Sequence, residues 1–367
     1  MAGRIDVAAK GYAKKNHELW EGFSMTFQPE RVFFEQDAME YPLGLKLYER
    51  FWREGVPLKM IGSHNRVTGI PGKNSQEAYF EAKRTLVVGV RRTLKFETCK
   101  PSAHYQLPLC TSCIGKCEYC YLNTTLGRKP YLRVYVNLED ILQSTKKYIE
   151  ERKPEITLFE GAATSDPLPY EAYTGALAKT ICFFAGEEYG RFRFVTKFAE
   201  VDSLLPLPHV GHTQIRFSLN TEKVITSYEH QTPSLKERVM AAVKCAKAGY
   251  PLGFLLAPVF IYPDWQQDYE DLLEQLAGGL AKYHTINFAP LTFEIITHRF
   301  TARAKNNIQE VFPKSTLPME EEERRFKFGQ FGYGKYLYLP EQIDEIKRFF
   351  QEKITKNFPT AQIKYVV

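Results

Sequence analysis

The sequence predicts an α/β protein built on a partial (β/α)6 barrel of TIM type, with an N-terminal extension before it and a C-terminal β-hairpin and helix after it. Three observations lead there. From about residue 102, short β-rich runs alternate with longer helical stretches, the pattern of βα units around a parallel sheet. Six such units can be read, which implies an open or partial barrel rather than a closed one. A cysteine-rich loop follows the first strand, and folds of this kind carry their functional residues at the C-terminal ends of strands.

Residues 1–24 are polar and mixed in charge, and read as a tag or extension without assigned function. An N-terminal α/β region covers 25–101, with a helix over 45–54, a Gly/Pro/Asn loop over 62–74 and a β-rich run over 85–96. Within that run, Leu86-Val87-Val88-Gly89-Val90 suits a buried strand ending at a basic edge, Arg91-Arg92. The barrel occupies 102–300. Its strands are expected at 105–109, 156–159, 192–196, 214–219, 252–259 and 291–297, and its helices at 138–151, 170–186, 235–248 and 265–282. The last region, 301–367, breaks this rhythm. From Arg324 to Tyr338 aromatic residues alternate with small or basic ones, and Gly329, Gly332 and Gly334 permit a tight hairpin. Rings on such a hairpin can stack on exposed bases or wedge a duplex while cations meet phosphate. The alternative is an ordinary amphipathic hairpin packed on the barrel. A helix over 341–356 and a strand-like tail over 363–367 close the chain.

With 367 residues and 44% hydrophobic content, the chain can bury one large core or two modest ones. The longest apolar run, 252–262, is broken by Pro258, and 1–24 lacks the apolar centre of a signal peptide, so no membrane partner is expected. Seven cysteines, most of them clustered, fit a reducing cytoplasm better than a disulfide framework. Lys and Arg exceed Asp and Glu by 49 to 43, and the resulting +6 is compatible with a nucleic-acid partner without requiring one. No G-x-G-x-x-G follows a strand, no P-loop occurs and the histidines form no H-E-x-x-H group. Nicotinamide and nucleoside-triphosphate chemistry, and a second metal site, therefore have no support.

The most informative stretch, residues 109–121, reads Leu-Cys-Thr-Ser-Cys-Ile-Gly-Lys-Cys-Glu-Tyr-Cys-Tyr. Cys113, Cys117 and Cys120 form C-x3-C-x2-C, with Tyr119 just before the last cysteine. Three thiolates on one short loop suit three corners of an iron-sulfur cube and leave a fourth iron free to bind a substrate. Adding Cys110 gives four thiolates and a structural zinc site, as in a non-catalytic nucleic-acid-binding protein. Such zinc sites usually draw two cysteine pairs from separated loops, unlike this crowded segment. Cys110 then falls at the end of the preceding strand. Cys182 and Cys245 fit expected helices as buried apolar residues.

The three-cysteine spacing resembles the radical S-adenosylmethionine (SAM) superfamily. Longer segments resemble the spore photoproduct lyase family: Thr98-Cys99-Lys100-Pro101-Ser102-Ala103, the cysteine loop through Leu126-Gly127-Arg128-Lys129-Pro130-Tyr131, Phe159-Glu160-Gly161-Ala162, Gly249-Tyr250-Pro251-Leu252-Gly253, and Phe328 to Tyr336. They fall in order and span nearly everything after about Phe27. The resemblance implies a [4Fe-4S] cluster on Cys113, Cys117 and Cys120 whose open iron chelates SAM, and a 5′-deoxyadenosyl radical. The implied substrate is DNA carrying 5-thyminyl-5,6-dihydrothymine. Hydrogen abstraction at C6, β-scission and hydrogen return would give two thymines and rebuild SAM. Tyr119 would lie beside the SAM adenine, with Ser165, Lys197, Ser218 and Ala257 around SAM at successive strands, and Tyr121 in the hydrogen-return path. On the hairpin, Arg325, Lys327, Gln330, Phe331, Tyr333, Lys335 and Tyr336 are the expected DNA contacts. A reducing protein such as flavodoxin or ferredoxin would serve a monomeric enzyme in the cytoplasm of the spore core.

One departure matters. Family members commonly carry a cysteine in the segment Glu160-Gly161-Ala162-x-Thr164-Ser165-Asp166, where its thiol returns the hydrogen; this chain has Ala163. Either Ala163 is an engineered replacement that stalls turnover, or another thiol, Cys99 or Cys110, serves instead. The rival readings are another radical SAM enzyme acting on RNA or a small molecule, and the zinc-stabilised protein above.

Overall fold

The computed structural model describes residues 27–281, 290–329, 332 and 334–367; the expected extension 1–24 lies outside them. An N-terminal sheet forms first. β1 (Arg31–Glu35) buries Val32, Phe33 and Phe34 on both faces, as a parallel strand under helices must. α1 (Pro42–Arg53) starts with proline, whose missing N–H costs nothing there, and turns Gly44, Leu47 and Phe51 inward. β2 (Leu58–Ile61) follows. α2 (Ser75–Lys83) is capped by the Asn74 side chain, which accepts from the Glu77 N–H. β3 (Thr85–Gly89) is shorter than the expected 85–96 run. Beyond Gly89 the backbone leaves the ladder, since Val90 N–H goes to the Glu35 carboxylate and Arg91 N–H to the Asn137 side chain.

The chain then opens a second sheet with β4 (Thr98–Cys99) and β5 (Ala103–Leu107), but crosses back at once. β6 (Cys110–Thr111) runs antiparallel to a strand of the first sheet. Cys110 thus belongs to its own short strand, not to the end of the preceding one. β7 (Lys116–Cys117) and α3 (Leu122–Thr125) carry the rest of the cysteine loop. β8 (Leu132–Tyr135) pairs with β3 and β6 and completes the order β2-β1-β3-β8-β6.

Strands and helices now alternate: α4 (Leu138–Glu150), β9 (Thr157–Gly161), α5 (Glu171–Thr174) and α6 (Ala176–Ala185), β10 (Gly190–Thr196), β11 (Thr213–Leu219). The expected helix at 170–186 is broken at Gly175, whose φ of 60° is left-handed. Then come α7 (Glu222–Tyr228), β12 (Glu229–His230), α8 (Leu235–Lys247), β13 (Leu252–Val259), α9 (Trp265–Leu280) and β14 (Thr292–Thr297). After α10 (Ala302–Val311), β15 (Arg325–Phe328) and β16 (Gly334–Leu337) form the hairpin, and α11 (Pro340–Asn357) leads to β17 (Gln362–Val366).

The second sheet has the order β4-β5-β9-β10-β11-β13-β14-β17 and curls into a half-barrel. All six expected barrel strands are present, parallel and in chain order. The tail is a seventh parallel strand beside β14. Inside the curl, β9, β10, β11 and β14 bring Glu160, Arg193, Arg216 and Glu294 together. Arg193 Nε lies 3.1 Å from Glu160, and Arg216 Nη1 lies 2.8 Å from Glu294. Gly253 of β13 makes the room, because a Cβ there would stand 2.8 Å from Arg216 Cγ. Apolar residues of both sheets belong to one continuous core.

Candidate active site

The cysteine loop is clamped between the two sheets. β6 ties its start to β8, and β12 pairs antiparallel with β7, matching Glu229 to Cys117. Cys117 is buried, while Cys113 and Cys120 are half-buried. The Gly115 N–H donates to Cys113 Sγ at 3.3 Å. Beneath the loop lies Lys83, a buried lysine whose ammonium donates to the Cys113 carbonyl at 2.7 Å and makes no ion pair among the described residues. Burial lowers its pKa, and the negative groups that oppose this are the thiols of Cys113, Cys120 and Cys117. A buried cation without a counter-charge is costly. The donor set therefore fits an anionic cluster held by those three sulfurs. Burial raises the Cys113 and Cys117 thiols, the latter to about 12, so a bound cation is what would hold them as thiolates.

A second group gathers at the strand ends facing this loop. Lys197, just after β10, points its ammonium to Ser218 Oγ of β11 at 2.9 Å, to Glu229 Oε1 at 3.0 Å and to Tyr119 Oη at 3.1 Å. Tyr119 Oη itself donates to Glu229. Burial opposes ionisation of Glu229, but Lys197 and Arg238 outweigh it and hold the carboxyl at about 2. Arg238 Nη2 lies 2.6 Å from Glu229 Oε2. Neither Glu229 nor Lys83 was singled out in the sequence, which carries no motif around them. Ser165 donates to the Ser112 carbonyl beside Cys113, and the two residues form an isolated bridge. Asp166, pushed up to about 7 by burial, accepts from the Lys197 backbone N–H at 2.8 Å and so joins the loops after β9 and β10. Ala257 stands half-buried in β13, before Pro258.

Cys99, Tyr121 and Ala163 share one neighbourhood. Tyr121 is 56% exposed, yet its hydroxyl donates to the Ala163 carbonyl at 2.6 Å. Cys99 is half-buried; burial first, then the Glu160 carboxylate, raises its thiol to about 11. Burial first, and then the charges that Cys120 and Cys99 would carry, raise the Tyr121 hydroxyl, which places it near both. Cys110, by contrast, is 3% exposed and points toward Ser165.

The hairpin sorts its residues by face. Register pairs Phe326 with Tyr336 and Lys327 with Lys335, so the rings of Phe326, Phe328 and Tyr336 share one face while Arg325, Lys327 and Lys335 share the other. Gly334 admits the Phe326 ring, since a Cβ there would stand 2.2 Å from Phe326 Cζ. The packing reading holds for part of the hairpin. Tyr336 stacks on Phe300 of the barrel rim at 5.2 Å, whereas Phe328 is 70% exposed. Gln330, Phe331 and Tyr333 lie outside the described residues.

A half-barrel with three thiols on the loop after its first strand, and a lysine, serine and tyrosine beside them, defines the class of enzymes that work with an iron-sulfur cluster and SAM. A family model described as spore photoproduct lyase matches residues 27–367. The spore photoproduct lyase of Clostridium acetobutylicum is 51% identical over 337 residues, 92% of this chain and 98% of the relative; that of Bacillus subtilis is 46% identical over 341 residues, 92% and 98%. A solved spore photoproduct lyase complexed with dinucleoside spore photoproduct is 47% identical, with a TM-score of 0.90 over 93% of this chain and 100% of that one. A doubly substituted variant of a spore photoproduct lyase, with bound SAM and the same dinucleoside, has a TM-score of 0.90 at 48% identity, with the same coverage. This chain belongs to the spore photoproduct lyase family.

Proposed function

We propose that the chain repairs DNA by returning 5-thyminyl-5,6-dihydrothymine to two thymines, with Cys113, Cys117 and Cys120 holding a [4Fe-4S] cluster. The observation that carries this is the three-thiol loop over Lys83, which has no ion pair among the described residues, in a chain whose relatives are spore photoproduct lyases. When bound, the cluster and SAM supply the radical that takes hydrogen from the lesion. The chain's own residues do the rest. Glu229 fixes Tyr119 and Lys197, and with Ser218, Ser165 and Ala257 these shape the SAM side of the mouth. Tyr121 stands over Ala163, where a methyl group offers no weak S–H bond.

Cys99 takes over hydrogen return in this reading. Its thiol stays protonated to about 11 and is accessible, unlike that of Cys110. The hairpin meets DNA with rings on one face and cations on the other. Lys327 and Lys335 oppose each other directly, an unfavourable pairing that a phosphate would relieve. A reducing protein of the flavodoxin or ferredoxin kind supplies the electron, and the enzyme acts as a monomer in the spore core. Among the described residues no helix is long and apolar enough to cross a membrane.

Anaerobic reconstitution tests the reading. The protein is expected to turn brown with iron and to consume a lesion-bearing dinucleoside only with SAM and reductant. A colourless zinc-loaded protein, or a brown one indifferent to the lesion, would contradict it.

A further inference from the structure

The cysteine loop has a second side, away from Tyr119 and Lys197. A surface cleft of ≈420 Å3 opens over it, floored by Ile114 and Lys116 of the loop itself and walled by Lys83, Arg84 and Gln231. Glu30 is the one carboxylate in the lining, and it is engaged by Arg84 at 3.3 Å and Arg31 at 3.7 Å. Lys83 and Lys116 make no ion pair among the described residues. The Lys83 amine holds the Cys113 carbonyl, and the Lys116 amine lies 4.9 Å from the centroid of the Phe80 ring. With Lys83 turned to the loop and Glu30 held by Arg84 and Arg31, Lys116 leaves the lining with an excess of positive charge beside the apolar Ile114. That floor is the segment between Cys113 and Cys117. No hairpin residue lines it, nor does Tyr121.

We propose that this cleft is the docking site of an acidic electron-carrier protein, an inference that rests on the reading of the loop as a cluster site. Electron transfer falls off steeply with distance, so the entry point is set by where the ligand loop comes to the surface. Ile114 and Lys116 line this cleft, so the loop lies just beneath the surface there, although each is only 7% exposed. A carrier that surrounds its redox centre with carboxylates meets cations at the rim and an apolar contact at the centre. Redox encounters use small, transient interfaces steered by charge, which suits a cleft of this size. One electron leaves the reduced carrier and enters the cluster; no bond is made or broken and no proton moves.

The test uses the full chain with its cluster reconstituted anaerobically. Stopped-flow bleaching of the cluster absorbance is followed with a reduced acidic flavodoxin and, separately, with dithionite. Arg84 and Gln231 are exposed, so Arg84→Glu with Gln231→Glu reverses the field without entering the loop. The flavodoxin rate constant at low ionic strength should fall about tenfold and lose its salt dependence, with dithionite rate and iron content unchanged. Lys116→Gln should slow flavodoxin in the same sense. Equal flavodoxin rates in all variants would overturn the proposal, as would a rate altered only by deleting residues 1–26. Loss of DNA affinity in place of reduction rate would also overturn it and assign the cations to phosphate. A protein that takes up no iron would overturn the cluster reading itself, and iron content separates that failure from the others.

Discussion

A thiol can return a hydrogen atom only while it holds one. Burial and Glu160 keep the Cys99 thiol protonated to about 11, whereas an exposed cysteine ionises near about 8.5. Because the raised pKa favours the neutral form, donation is retained as pH rises and is lost only as pH passes through about 11. Clean thymine formation should thus be flat between about pH 7 and about pH 9. A fall centred near the ordinary thiol value would point to a different donor. Cys99→Ala should leave lesion opening intact but divert the product into adducts, read by mass; Cys110→Ala should not. Glu229 acts at one remove. Glu229→Gln releases Lys197 and Tyr119, and the dissociation constant for SAM, measured by equilibrium dialysis on the iron-loaded protein, should rise about tenfold. Unchanged SAM affinity would reduce Glu229 to a packing role.

At the scale of the element, the hairpin is the clearest case of a period-two signal carried through to structure. Alternation of rings and cations was legible in the sequence because every second residue of a strand shares a face, and the register delivers that separation. Lys335→Ala or Arg325→Ala should each weaken DNA binding and lower the slope of log K against log salt by about 1. Binding that is identical across a salt series would remove these residues from the interface. The barrel strands were legible for the same reason, being apolar runs separated by helices of sufficient length. β8 was not. It is only four residues long and follows a Gly-Arg-Lys-Pro run that reads as loop. Lys83 and Glu229 escaped because their meaning lies in partners 30 and 32 residues away, Cys113 and Lys197, which no local pattern encodes.

For the whole molecule, the half-barrel is held by a polar layer inside an apolar core. Glu160, Arg193, Arg216 and Glu294 balance two charges of each sign, and Tyr365 of the tail strand donates to Glu294 at 2.5 Å. Removing one member leaves a buried charge unpaired. Glu294→Ala should destabilise by about 3–5 kcal/mol, seen as a lower midpoint in denaturant at an unchanged slope. A cost below about 1 kcal/mol would mean that water replaces the carboxylate and that the layer is not sealed. The same sealed floor supports the strand ends on which Lys197, Ser218 and Asp166 stand, so fold and site are expected to lose order together.

This chain is expected to reverse a thymine cross-link with a thiol other than residue 163. The most direct measurement is the mass of the products when the iron-loaded protein, SAM and a reductant act anaerobically on an oligonucleotide carrying the lesion. Two intact thymines are predicted. An untouched lesion beside cleaved SAM would contradict the claim.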